Sequence, residues 1–488
     1  MNKTSQPHLL FITTDELRKD ALSCYGGQAV STPHIDSIAD GGIRFDRAYT
    51  NSPWCLPSRC AMLTGRYPHR SGAYSNFRKC ELSTGVPNLL QGLRESGYRT
   101  SLFGKCHFSP VPYGETRADR TLPYEAFRDY YLSLGLDHLD LQDDKQVSVW
   151  FYDDYAKELD AAGYLEAYRR DTWDVEGKRR KVFPFPGPAE WHPDSWVGRK
   201  AEEYIESYDD DRPLFAWVSF SGPHYPFDAP AEYFDRVDMS KDRRFPALDG
   251  EFDDPRRIHY RSFHGPGNID GANSAPEGAT KHYSEPYWHD LRRSYYANMA
   301  QIDDWVGRIL DTARRKLGDN VMVVFTADHG EMLGNHNLWG KHDCGYEDVL
   351  NVPLLVRYPA ANPHSNPNPF AGDSIVSRSV VQLIDLAPTF LSAAGQAEWE
   401  SDGRDLRLSL EDGGYRYTFA EGEGFIAVSD GAYKLVQTRK QGREYDELFD
   451  LAADPRETDN RIKLPEYVGE LARLRNEIVN HFMAKVLA

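Results

Sequence analysis

The segment Cys55-Leu-Pro-Ser-Arg59, continuing Cys60-Ala-Met-Leu-Thr-Gly-Arg66, joins a thiol, a helix-starting Pro-Ser pair and a cation within five residues. It follows the strand-like Ala48–Asn51, so a helix is expected to begin here with Cys55 near its positive end. The unpaired N–H groups of a helix N-terminus stabilise anions and lower a thiol pKa. Cys55 is therefore a candidate nucleophile or anion-binding group. On position alone, a buried thiol beside a structural arginine explains the same residues more simply.

Other reactive groups stand where apolar runs end. The run from His8 ends in Asp15-Glu16, and the run from Tyr98 ends in Lys105-Cys106-His107. The run from Leu214 leads to His224, the run from Val321 leads to Asp328-His329, and Lys341 follows in the next loop. Open parallel sheets bind ligands outside the carboxyl ends of their strands. A set of carboxylates, imidazoles and cations converging on one edge is hard to explain by solvation alone. Asp15, Glu16 and Asp328 offer oxygen and His329 offers nitrogen. Such a set favours a hard divalent cation such as calcium, magnesium or manganese, with His329 pulling modestly toward manganese. Asp15-Glu16 could instead cap a following helix, which leaves Asp328-His329 unexplained.

The elements that must position these groups read as an α/β fold. His8–Thr14, Tyr98–Phe103, Leu214–Phe220, Val321–Thr326 and Pro353–Arg357 are continuous rather than alternating apolar runs. They predict strands covered on both faces, in a large, mostly parallel sheet flanked by helices. Thr32-Pro33 with Ile35 and Ile38, Leu89-Leu90 with Leu93, and Ile302 to Leu310 predict helices between them. Val380–Ala394 reads as one more core helix. Roughly 108–200 and 227–285 are aromatic, charged and weakly periodic, which suggests insertions walling a pocket. Short strands at Tyr415–Ala420, Phe425–Val428, Tyr433–Thr438 and Glu447–Leu451, then an amphipathic stretch near Glu466–Val486, predict a smaller antiparallel sheet packed by a helix. The expected division is residues 1–397 as a catalytic unit and 398–488 as a C-terminal α+β subdomain.

At 488 residues the chain has room for both. Its net charge of −18 argues against nucleic acid or an anionic membrane as partner. The amino-terminal segment lacks the apolar region of a signal peptide, and no stretch is long enough to span a membrane. A cytoplasmic location is the expectation. Six cysteines in such a chain, with no CxxC pair, predict neither a disulfide framework nor a structural zinc site.

CLPSR followed by LTGR resembles the C-x-P-S-R…TGR motif of the sulfatases, formylglycine-dependent members of the alkaline phosphatase superfamily. TTDE resembles that family's first metal strand, TPHIDSIADGGIRFDRAY its first helix, and GYRTSLFGKCHF its Gly-Lys-x-His segment. SFSGPHYPF resembles the strand with the acid histidine, and VVFTADHGEMLGNH with KHDCGYEDVLNVPLLV the second metal pair and substrate lysine. AYKLV with ELFDLAADPRETDN resembles the carboxyl-terminal hairpin. Most relatives carry Asp-Asp where this chain has Asp15-Glu16, and the longer arm of Glu16 is a departure.

The resemblance implies that Cys55 is oxidised by a maturation enzyme to formylglycine (3-oxoalanine), whose hydrate attacks the sulfur of a small organic sulfate ester. It implies His224 as general acid and His107 as base for sulfate release. It also implies Arg59 as the clamp on the diol and metal carboxylates, and Lys105, Lys341 and His224 as substrate contacts. The aromatic insertions suit a sulfated sugar or another compact sulfate, and equally suit core packing. Two other readings stand beside this one: a phosphonate monoester or phosphodiester hydrolase of the same superfamily, and a non-catalytic anion-binding paralogue with unmodified Cys55. The Cys-to-Arg spacing is too short for the phosphate loop of a cysteine phosphatase.

Overall fold

In the computed structural model the described residues are 6–76, 80–109, 125–145, 152–172, 182–265, 279–341, 344–359, 374–396 and 399–487. Eight strands form the main sheet: β1 (His8–Asp15), β2 (Ile43–Tyr49), β3 (Arg99–Gly104), β4 (His138–Leu141), β5 (Leu214–Pro223), β6 (Val321–Ala327), β7 (Asn351–Arg357) and β8 (Ile375–Gln382). Their order is β4-β3-β5-β1-β6-β7-β2-β8. All pair in parallel except β7, which is antiparallel to both neighbours. The five predicted strands are therefore all present, in a mostly parallel sheet.

Burial explains why these runs choose strand over helix. Every residue of β5 is buried, and Phe11 of β1 lies between Trp217, 4.8 Å away, and Phe390, 5.1 Å away. A strand covered on both faces has no polar side to show. The helices Glu285–Leu317, Pro193–Glu206 and Pro33–Ala39 pack together as one layer. Cys55–Thr64, Leu89–Glu95 and Leu386–Ala393 pack together as another.

Three expectations need correction. Val380–Ala394 is not one helix: its first residues finish strand β8, and a helix runs only from Leu386 to Ala393. The break is a capping box in which the Gln382 and Asp385 side chains bind each other's backbone N–H groups. The strand before Cys55 begins at Ile43 and ends at Tyr49, because Ile43 and Phe45 alternate with half-buried Arg44 and Asp46 rather than forming a continuous run. The stretch 108–200 is not wholly insertion. It contributes β4, and the Pro193–Glu206 helix buries Trp196, Val197, Ala201 and Ile205. Residues 110–124, 146–151, 173–181 and 266–278, which are parts of the two expected insertions, lie outside the described residues.

A second sheet follows, β9 (Thr418–Gly422), β10 (Phe425–Ser429), β11 (Tyr433–Lys440) and β12 (Arg443–Asp450), antiparallel in the order β12-β11-β10-β9. One face packs Ile426, Val428, Leu435 and Leu448 against Leu474 and Ile478 of the Val468–Leu487 helix. The other packs Ala420, Phe425, Ala427 and Val436 against Tyr49, Val349, Leu350 and Val380 beside the main sheet. The expected division at 397/398 falls on residues outside those described. Among the described residues no helix is long and apolar enough to cross a membrane.

Parallel strands release the chain at one edge, so the ends of β1, β2, β3, β5 and β6 deliver their loops to the same place. The reversal of β7 keeps the whole β6–β7 loop, with Asp328, His329 and Lys341, at that edge. Gly104 shows how tightly the edge is packed. Its φ is +99°, and a Cβ there would stand 2.1 Å from the Ser219 carbonyl oxygen. Gly104→Ala is expected to destabilise the fold by about 2–3 kcal/mol in urea denaturation; unchanged stability would contradict this packing.

Candidate active site

Asp15 is the last residue of β1, and Glu16 follows with a left-handed φ of 65°. Asp328 and His329 follow β6 directly. Cys55 opens a helix whose next N–H, that of Leu56, is received by the Asn76 side chain at 3.0 Å. Arg59 lies one turn on and so shares the Cys55 face.

These groups meet around the Cys55 sulfur. Lys341 Nζ lies 3.1 Å from it, His329 Nε2 3.2 Å and Asp15 Oδ1 3.6 Å. Lys105 Nζ bonds the other Asp15 oxygen and reaches Asp144 Oδ2 at 2.8 Å. Arg59 donates Nε to Asp328 Oδ2 at 2.8 Å, and Nη1 to Ser219 Oγ at 2.8 Å and the Lys105 carbonyl at 3.0 Å. Glu16 Oε2 lies 3.3 Å from His224 Nε2 and 3.4 Å from Lys341 Nζ. His107, at a left-handed φ of 48°, is buried with no hydrogen bond to either ring nitrogen. All ten predicted residues therefore gather at one edge of the sheet.

The charges are buried together, which sets their protonation. Burial resists the Cys55 thiolate, yet Lys105, Lys341 and His329 hold its pKa well below the ordinary thiol value. Burial likewise opposes the charge of Asp15, and Lys105, His224 and Lys341 outweigh it, so its pKa falls. Glu16 goes the other way: burial, reinforced by Glu331 and Asp15, pushes its carboxyl well above the usual range despite Lys341.

The residues present fit a divalent cation. Both Glu16 carboxylate oxygens are buried without a hydrogen-bond partner. Asp15, Cys55, Asp328 and His329 bring donor atoms within 4.8 Å of one another, as do Asp15, Glu16 and His224. His329 Nδ1 donates to the Gly330 carbonyl at 2.9 Å, which leaves the Nε2 lone pair facing the acids. His224 Nδ1 similarly donates to the Tyr225 carbonyl at 2.5 Å, turning Nε2 into the site.

Sequence reading missed three supporting residues. Asp144, which holds Lys105, follows β4, and recognising that short strand would have placed Asp143-Asp144 at the edge. Ser219 sits inside an apolar run and gives no signal. Glu331 Oε1 accepts the N–H groups of Leu333, at 3.1 Å, and Gly340, anchoring the chain just before Lys341.

Arg59→Ala would leave Asp328 buried without its partner, at a cost of about 3–5 kcal/mol measurable by urea denaturation. Arg59→Lys, which keeps a charge but cannot span three acceptors, is expected to fall between. Equal stability of all three proteins would contradict the clamp.

The Sulfatase family model matches residues 7–396, and the model "N-sulphoglucosamine sulphohydrolase, C-terminal" matches 334–483. The uncharacterized sulfatase YidJ of Escherichia coli is 27% identical, the match covering 98% of this chain and 87% of that protein. The N-acetylglucosamine-6-O-sulfatase of Bacteroides thetaiotaomicron is 27% identical, with 97% and 85% covered. The crystal structure of the phosphonate monoester hydrolase of Agrobacterium radiobacter superposes with a TM-score of 0.77 at 23% identity, covering 97% of this chain and 95% of that one, a likeness of fold. With most of its length matched, and its strand-end acids, lysines and histidines gathered around Cys55, the chain belongs to the sulfatase family, sulfuric ester hydrolases of the alkaline phosphatase superfamily.

Proposed function

We propose that this enzyme hydrolyses an organic sulfate monoester to an alcohol and inorganic sulfate, using a nucleophile made from Cys55 by oxidation to formylglycine. The observation that carries this is the setting of Cys55: first residue of a helix, buried, and flanked by Lys341, His329 and Asp15 within 3.6 Å. A tetrahedral anion brought against position 55 meets positive charge from Lys105, Lys341 and the helix N-terminus. Formylglycine, once hydrated, supplies one hydroxyl to attack sulfur and a second whose deprotonation lets sulfate leave.

Asp15, Glu16, Asp328 and His329 would hold one divalent cation, calcium foremost for a set with three carboxylates, with manganese or magnesium as alternatives. When bound, it neutralises the carboxylates, lowers the pKa of a nearby hydroxyl and offsets charge building on the sulfuryl oxygens. Arg59 keeps Asp328 in place through its 2.8 Å bond. Lys105 and Lys341 bind sulfate oxygens. His224, its Nε2 turned into the site, donates the proton that the departing alkoxide needs. His107, with both nitrogens unengaged, takes the proton from the second hydroxyl.

The relatives named for N-acetylglucosamine 6-O-sulfate and choline sulfate support a compact substrate, with a sulfated sugar first. The fold is also shared with phosphonate monoester hydrolases, whose esters present the same tetrahedral oxygens, so phosphonate hydrolysis is the second reading. Pro57-Ser58 favours the sulfatase; Ser58 Oγ donates to the Asp328 carbonyl at 2.6 Å, tying the motif to the acid pair. Rates on matched aryl sulfate and aryl phosphonate monoesters, with matured enzyme, decide between them. The sulfate is expected to turn over faster, and faster phosphonate turnover would overturn the assignment.

The general-acid role predicts a dependence on leaving group. His224→Ala should lower kcat for an alkyl or sugar sulfate by about 10²–10⁴-fold, and far less for nitrophenyl sulfate, whose phenolate leaves without a proton. Equal losses on both would remove His224 from that role.

A further inference from the structure

Among the described residues, four groups of His, Cys, Asp or Glu bring three or more ligand atoms within 4.8 Å of one another. Two belong to the active site. A third, His34, Asp303 and Asp304, is otherwise occupied, because Asp303 accepts the N–H groups of His34 and Ile35 at the start of a helix. The fourth, His69, Glu421 and His481, lies outside the active site and comes from three separate parts of the chain.

His69 lies in the Pro68–Ser71 turn, beyond the helix that Cys55 opens; Glu421 lies on β9, and His481 on the C-terminal helix. His69 Nδ1 lies 2.9 Å from both Glu421 carboxylate oxygens, and Oε2 also accepts the His69 backbone N–H at 3.1 Å. His481 Nε2 bonds Oε1. Aromatic packing sets the rings before any ligand arrives. His481 stacks on Phe419 with centroids 4.0 Å apart and meets the edge of Tyr67 at 4.5 Å, and His69 meets Phe482 at 5.0 Å.

From this arrangement we propose that His69, Glu421 and His481 form a second metal site, which binds zinc and staples the C-terminal helix to the turn behind the nucleophile helix. Two imidazoles and one carboxylate, with a fourth position for water, form a recurrent zinc set. All three ligand atoms lie within 4.8 Å of one another, a range that takes in the roughly 3.3 Å between neighbouring ligands of a tetrahedral zinc ion. Calcium takes oxygen ligands, so a set in which two of three donors are imidazoles favours zinc. Coordination through His69 Nδ1 moves its proton to Nε2, which is buried and has no partner in the present arrangement. The side chains of His69, Glu421 and His481 are 21%, 5% and 7% exposed, which leaves an entry path on the His69 side. Glu421 also donates its backbone N–H to the Asn51 carbonyl at 2.7 Å, so the staple grips the loop that leads into Cys55.

The test is zinc binding by the full chain with excess calcium present to occupy the active site. Wild type is expected to retain one zinc per chain by elemental analysis after desalting, and to melt at a higher temperature with zinc than without. His481→Ala and, separately, His69→Gln should lose that zinc, with affinity down by at least about tenfold, while keeping sulfate-ester turnover. Cobalt substituted for zinc gives a reading independent of stability: a visible tetrahedral band without sulfur-to-metal charge transfer assigns the ion to nitrogen and oxygen ligands rather than Cys55. Zinc retained in both variants, or no zinc bound by wild type at micromolar concentration, overturns the proposal and leaves a hydrogen-bonded clasp.

Discussion

Arg59 is buried completely, and the edge of the main sheet is organised around it. Its guanidinium joins Asp328 after β6, Ser219 inside β5 and the Lys105 carbonyl after β3, while its own backbone belongs to the nucleophile helix. A buried guanidinium is tolerable only with acids and acceptors around it. The bonds from Nε and Nη1, with Nη2 3.8 Å from Asp15 Oδ2, fix the distance from Cys55 to the acid pair and to Lys105 at once. Lysine at this position would satisfy one of these partners and release the others, so the fork geometry, more than the charge, holds the site together.

The remaining charges follow from that frame. Lys105 stands between Asp15 and Asp144, and Lys341 between Cys55 and Glu16. Each cation keeps a neighbouring acid or thiol ionised in a place that excludes water. Glu16 is the exception, with its carboxyl driven up and both oxygens lacking hydrogen-bond partners. That imbalance is what a divalent cation would relieve, and it makes the Asp15-Glu16 departure from the usual Asp-Asp compatible with ligation.

Much of this was legible because parallel strands write their function at their ends. A continuous apolar run terminating in Asp15-Glu16, Lys105 or Asp328-His329 announces both a buried strand and a polar group at its carboxyl end. Where the run was not continuous, reading failed. Arg44 and Asp46 hid the start of β2, and four-residue β4 hid Asp144. Val380-Val381 ran into Leu383-Ile384 and passed for one helix, although Gln382 and Asp385 carry the spacing of a capping box. His69 and Glu421 are 352 positions apart and meet only because a second sheet folds against the first, a pairing that no local pattern encodes.

The claim on which the chemistry rests is the conversion of Cys55, and mass spectrometry of the peptide spanning it tests that claim most directly. In protein purified from its native host, the peptide is expected to carry an aldehyde at position 55, captured as a hydrazone by a hydrazine reagent. An unmodified thiol throughout that protein would contradict the account and leave an anion-binding member of the family that does not turn over its ligand.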